Sequence, residues 1–212
     1  MDTVTFGMGC FWGPEARFGS LPGVVKTRVG YAGGKEGQPS SKNTLDFTEV
    51  LQIQYDSELL SLDQILTQFF AQHNTARAPR STKYRSVLFY QNEEQKDKMM
   101  QKVEEKKRNN GVIYTAVEPL KQFFEAETRH QKYYLQRWKP VYQKWCKLHS
   151  EEDSLVESTL TARLNGLSKG CGKLEEIQRE FLDPSLEPLW CVIREGIMDK
   201  QEKTGDTCSI EY

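Results

Sequence analysis

Val4-Thr5-Phe6-Gly7-Met8-Gly9-Cys10-Phe11-Trp12-Gly13-Pro14-Glu15-Ala16-Arg17-Phe18 sets two patterns directly end to end. Val4 to Met8 is short and apolar and reads as a strand that stops at Gly9, so Cys10 begins a new element. Pro14 falls where the first turn of a helix tolerates a missing N–H, and Glu15 to Phe18 continue a helical pattern. A cysteine is therefore expected at the point where a strand becomes a helix.

Working outward, Val24 to Tyr31 is rich in β-branched residues and ends at Gly33-Gly34, the mark of a second strand. A polar loop, Lys35 to Asn43, leads to the alternating stretch Phe47 to Tyr55, in which Phe47, Glu49, Leu51, Ile53 and Tyr55 share one face. Leu62, Ile65, Leu66, Phe69 and Phe70 follow at helical spacing behind Ser61 as a cap. Arg85 to Tyr90 reads as a strand, Asn92 to Asn110 as a charged helix closed by Gly111, Val112 to Leu120 as a strand, and Phe123 to about Trp138 as a helix. The order β-α-β-β-α-β-α-β-α predicts an α+β fold, a mixed β-sheet with packed helices in a two-layer sandwich. After Pro140 the pattern turns wholly helical: Val156, Leu160, Leu164 and Leu167 form one stripe, Leu174, Ile177 and Phe181 another. Residues 1–140 are expected to form the main domain and 141–212 a helical C-terminal extension lying against it.

A chain of 212 residues suits one generous domain, or one domain with an appendage. Its 29 basic and 30 acidic side chains leave a net charge of −1, so no bulk field recruits nucleic acid or an acidic membrane. No apolar run approaches the roughly 18 residues of a spanning helix, and Met1 to Cys10 lacks the pattern of a signal peptide. The expected location is cytoplasmic. Cysteines at 10, 146, 171, 191 and 208 are odd in number and lack metal-like paired spacing, which in a reducing compartment favours free or catalytic thiols. Three scattered histidines do not suggest a metal site. His130 reads as a structural helix residue, His73 and His149 as surface or helix-end residues.

At a helix start, Cys10 meets unpaired N–H groups and the positive end of the helix dipole, which favour thiolate and depress the thiol pKa. Phe11 and Trp12 then form apolar walls beside a nucleophilic sulfur. These residues alone fit a buried structural cysteine in an aromatic core equally well. Glu49, on the Phe47/Leu51 face, points inward in the expected register; burial raises a carboxyl pKa and suits it to donate a proton. The other register would turn it to water. Tyr84, just before the Arg85 strand, can donate a hydrogen bond or simply pack.

Together these residues resemble the methionine sulfoxide reductase A family. Gly9-Cys10-Phe11-Trp12-Gly13 with Glu15 is similar to its nucleophile signature. Gly30-Tyr31-Ala32-Gly33-Gly34, Thr48-Glu49-Val50, Tyr84-Arg85-Ser86 and Ala126-Glu127 with His130-Gln131 and Tyr133 follow in the family's order. Leu164-Asn165-Gly166 resembles the long extension of an animal branch. The resemblance implies that Cys10 attacks the sulfur of methionine-S-sulfoxide while Glu49 and Tyr84 engage and protonate its oxygen and Phe11 and Trp12 hold the methyl group. Cys10 becomes a sulfenic acid, a second thiol condenses with it, and thioredoxin restores the enzyme. Oxidised proteins, peptides and free methionine sulfoxide are the implied substrates; no bound cofactor or metal is implied.

Three positions depart from the family pattern. Ser40 and Ser41 follow Pro39 where a tyrosine is usual, Phe47 stands in place of a histidine, and Asn74 to Lys83 lacks an expected aspartate. These losses motivate a rival reading, a catalytically impaired protein that binds methionine or methionine-sulfoxide peptides; another thiol enzyme such as a peroxidase is a third. For the resolving thiol, Cys171 ranks first, flexed by Gly170 and Gly172 and flanked by Lys169 and Lys173. Cys208, in a polar tail, ranks second; Cys191, in an apolar run, is expected to be buried, and Cys146 shows no resolving feature.

Overall fold

The computed structural model describes residues 1–149 and 153–204. Strand β1 (Asp2–Met8) lies at the centre of a six-stranded mixed sheet. Its neighbours are β3 (Thr48–Tyr55) and β4 (Ser86–Tyr90), both antiparallel. Outside β3 lie β2 (Val24–Ala32) and β6 (Phe123–Glu125); outside β4 lies β5 (Ala116–Pro119), the one parallel pairing. The order is β5-β4-β1-β3-β2-β6.

Helix α1 (Trp12–Gly19) follows β1 at once, through Gly9 at φ 94°, a conformation natural to glycine. Helices α2 (Leu62–Ala71) and α3 (Glu93–Asn110) begin on side-chain caps from Ser61 and Asn92, the first a reciprocal capping box with Gln64. Leu51 and Ile53 of β3 join Phe6, Phe18, Ile65 and Phe69 in the main core, whereas Val50 packs with Ala32, Val87 and Phe89 in a smaller cluster. Both faces of the central strands are thus covered, and Glu49 shares the face of Leu51, as its period-two position requires.

The expected helix from Phe123 to Trp138 does not form as one piece. Its start is the edge strand β6, followed by a single 3-10 turn at Thr128–His130 and the short α4 (Tyr133–Arg137). The cause lies across the sheet at Gly30, where an added Cβ would collide with the Phe124 carbonyl oxygen. The bare backbone lets Phe123–Glu125 pair with Gly30 to Ala32, an arrangement a helix cannot offer. Gln131 continues that pairing with a side chain, its amide bonding both the N–H and C=O of Val29 at 2.9 Å. The strand expected over Val112 to Leu120 shrinks to the four residues of β5.

The C-terminal helices are α5 (Lys139–Leu148), α6 (Asp153–Glu157), α7 (Thr159–Lys169), α8 (Leu174–Glu180) and α9 (Glu187–Thr204). Leu135, Val141, Trp145, Leu164, Leu189 and Ile193 build a second apolar core. Helix α7 lies directly on α1. A Cβ on Gly166 would stand 2.8 Å from the Ala16 carbonyl oxygen, and one on Gly19 would stand 2.9 Å from that of Ala162. Buried Arg163 completes the contact, donating to the carbonyls of Gly19 (2.6 Å) and Val24 (2.9 Å) while Glu180 grips its other edge. Among the described residues no helix is long and apolar enough to cross a membrane.

Candidate active site

Cys10 sits between the end of β1 and the first turn of α1 and is exposed to solvent. The Trp12 backbone amide lowers its pKa, as expected of a helix start, but it is outweighed. Desolvation by the surrounding protein pushes the thiol above its ordinary value, and the nearby Glu49 charge pushes the same way. The expected depression of the thiol pKa is therefore overturned for the resting site: partial burial exceeds what a single turn of helix supplies.

Glu49 is buried and reaches the backbone of the residue after Cys10, its Oε2 accepting from the Phe11 N–H at 3.2 Å. Its Oε1 lies 3.2 Å from the Lys83 ammonium. Burial raises the carboxyl pKa, while the Phe11 amide and the Lys83 charge hold it back. Lys83 belongs to the 3-10 turn Thr82–Tyr84, and its ammonium also stands 5.2 Å from the centre of the exposed Tyr84 ring. Tyr84 and Gly9 line one cavity, which puts the tyrosine near the end of β1 that leads into Cys10.

Phe11 is buried and Trp12 half-buried. Trp12 stacks on Tyr133 with ring centres 3.6 Å apart, and the His130 ring adjoins both Phe11 and Trp12 at 5.8 Å. Desolvation lowers the His130 pKa, which keeps the imidazole neutral near pH 7 and the wall apolar. Tyr31 is opposite Glu49 in the β2–β3 register, its ring 6.0 Å from Phe11; burial first, then the charges of Glu127 and Glu49, drive its hydroxyl pKa upward. Beside the wall, the Ser41 N–H and hydroxyl donate to Glu127, and Arg129 donates to Ser41. Ser41, one of the two serines that stand where a tyrosine was expected, thus ties the loop to the segment just after β6.

The arrangement is an accessible thiol, a buried acid bonded one residue away, and an aromatic wall. A family model described as peptide methionine sulfoxide reductase matches residues 2–163. The chain belongs to that family. It is 37% identical over 189 residues to the peptide methionine sulfoxide reductase of Drosophila melanogaster, covering 88% of this chain and 76% of the relative. A peptide methionine sulfoxide reductase MsrA of Nautilia profundicola is 37% identical over 155 residues, 69% of this chain and 88% of its own. Among solved structures, methionine sulfoxide reductase A of Corynebacterium diphtheriae superimposes with a TM-score of 0.60 at 28% identity, covering 66% of this chain and 76% of that one. Reduced Mxr1 of Saccharomyces cerevisiae gives 0.58 at 31%, covering 64% and 84%.

In this reductase the other thiols are spread over the C-terminal helices. Cys171 is half-buried just past α7, its N–H bonded to the Gly166 carbonyl at 2.8 Å, between Gly170 at φ 85° and Gly172 at φ 78°. Lys169, two residues back, lies beside α1, its Cε 3.9 Å from where a Cβ on Gly13 would stand. Cys191 is exposed, against expectation: Leu189, Trp190 and Ile193 take the core side of α9 and leave Cys191 beside Glu187 and Arg194. Cys146 is exposed on α5, and Cys208 lies outside the described residues. Lys83 escaped the sequence reading; its only signal was a cation adjoining Tyr84 in a segment without acids.

Proposed function

We propose that this chain reduces methionine-S-sulfoxide, in oxidised proteins and peptides and as the free amino acid, with Cys10 as nucleophile and Glu49 as acid. The hydrogen bond from Phe11 N–H to Glu49 carries the reading, because it fixes a proton donor to the backbone of the nucleophile's neighbour. The Cys10 sulfur attacks the sulfoxide sulfur while Glu49, aided by Tyr84, delivers a proton to the oxygen. The oxygen passes to Cys10 as sulfenic acid and methionine departs; the thiol loses two electrons and the sulfoxide gains them. The thiol proton replaces the one Glu49 gave. A protonated Glu49 serves this step twice, supplying the proton and removing one of the charges that disfavour the Cys10 thiolate. Phe11 and Trp12, braced by His130 and Tyr133, hold the substrate methyl group and select the S epimer.

Cys171 then condenses with the sulfenic acid, releasing water, and thioredoxin reduces the disulfide. Support comes from the two positive-φ glycines around Cys171 and from the contact of its own helix with α1. Cys208 is the second relay candidate. The chain's own thiols and an external dithiol suffice for this scheme, which suits a reducing, cytoplasmic setting. Nothing at the site favours a mere binding protein, since thiol and acid are both in place.

Single-turnover chemistry tests the scheme. Without added reductant, a peptide bearing methionine-S-sulfoxide should give a stoichiometric burst of methionine, the R epimer none, and peptide mapping should find Cys10 joined to Cys171. Cys10→Ser should give no burst. Cys171→Ser should keep the burst and dithiothreitol-supported turnover but lose recycling by thioredoxin. A burst from Cys10→Ser would overturn the nucleophile; a persistent sulfenic acid or a disulfide to Cys208 alone would overturn the relay.

A further inference from the structure

The irregular segment between α2 and the turn at Thr82–Tyr84 carries Arg77, Arg80 and Lys83 and no acid. The neighbouring cations of this wall are spoken for: Lys83 faces Glu49, and Arg85 is held by Glu118 and Thr48. Arg77 and Arg80 are different. Both are exposed, and among the described residues neither has an acidic partner. Both line one cavity of about 330 Å³ whose lining also includes Gly9, the residue before Cys10, and Tyr84. That volume lies near the lower end of small-ligand sites, about 300–1,000 Å³, and holds a side chain or two rather than a whole ligand.

We propose that this cavity is a subsite for an acidic side chain flanking the oxidised methionine, so that the chain prefers methionine sulfoxide in acidic peptide segments. The inference rests on the reductase reading above and deepens it. A substrate whose sulfoxide reaches Cys10 must lay neighbouring residues along the rim at Gly9 and Tyr84, since an extended chain advances about 3.3 Å per residue. One or two residues from the sulfoxide, its side chains enter the reach of Arg77 and Arg80. Guanidinium groups offer forked donors that match a carboxylate edge. A carboxylate at a peptide C-terminus or in free methionine sulfoxide has the same chemistry, and the test separates the two sources.

The measurement is kcat/KM, with dithiothreitol as reductant so that no protein partner intervenes, on acetylated and amidated methionine-S-sulfoxide peptides. They carry Asp or Asn at each of the two positions before and after the sulfoxide. At low ionic strength at least one Asp peptide should exceed its Asn counterpart about three- to tenfold, as two exposed ion pairs allow. The ratio should fall towards one at high salt, where screening is strong. It should also fall towards one in Arg77→Gln/Arg80→Gln and return in Arg77→Lys/Arg80→Lys. A ratio near one in the unmodified chain, or one that persists in the glutamine variant, would overturn the subsite while leaving the reductase reading intact. So would a gain given only by a free C-terminal carboxylate. No turnover of any peptide would overturn the reductase reading and the subsite with it.

Discussion

At the scale of single residues, the site is governed by which charge sits beside which proton. In the proposed mechanism Glu49 holds a proton to act, so activity should fall as pH rises through its pKa, while Cys10 loses one, so activity should fall as pH drops through its own. The Lys83 ammonium lowers both pKa values. Lys83→Met should therefore raise both, moving the whole bell of kcat/KM towards alkaline pH, and Lys83→Arg should restore the original profile. A shift of one limb alone would show that Lys83 acts on only one of the two groups. Glu49→Gln keeps the bond from Phe11 but has no acidic proton, and should lower kcat/KM about 100- to 10,000-fold in steady-state assays. That Cys10 falls where a strand gives way to a helix, and that Glu49 faces inward, were both legible, because each follows from a short local pattern. The Lys83 pairing and the raised Cys10 pKa were not, because both depend on how residues far apart in the chain crowd one space.

Among the elements, strands with alternating or β-branched stretches were read close to their true bounds, as were the capped helices α2 and α3. The failure at Phe123 to Trp138 came from an interaction no local window contains, the bare Gly30 opposite Phe124. The same segment contains Lys132, a cation whose burial no pattern in the sequence announces. It is fully buried in a left-handed conformation (φ 46°), its ammonium 2.9 Å from the equally buried Glu15 and 2.6 Å from the Thr27 carbonyl. That pair ties α1, just behind the nucleophile, to β2 and to the start of α4. Lys132→Met would strand a buried carboxylate and should cost about 3–5 kcal/mol of stability, read by urea denaturation. Lys132→Met combined with Glu15→Gln should recover part of the loss; no recovery would mean that packing, not charge, is what Lys132 provides.

Across the whole molecule, the C-terminal stripes were legible as helices but their target was not, since periodicity says which face is apolar and not what covers it. The structure turns the apolar stripes into a second core of their own and sets the opposite, small-residue side of α7 against α1 through two glycines. Gly166→Val would press a side chain on the Ala16 carbonyl and should destabilise the chain by about 1–3 kcal/mol, measured by thermal and urea unfolding. Because α1 begins at the nucleophile, the variant should also lose sulfoxide turnover, whereas Gly170→Ala, with open space around it and only its positive φ to strain, should lose stability with less effect on turnover.

The Arg163 clasp on Gly19 spans 144 residues of chain, and that separation has a meaning in time. At about 5–20 residues per second of synthesis, the nucleophile helix leaves the ribosome roughly 7 to 30 s before the helix that covers it. Throughout that interval the growing polypeptide carries α1 with its Ala16 and Gly19 side bare, open to chaperones. The amide hydrogens of α1 should therefore exchange faster in a chain stalled on the ribosome before Leu160 than in the released full-length chain, and equal rates would show that the helix needs no late partner to hold it.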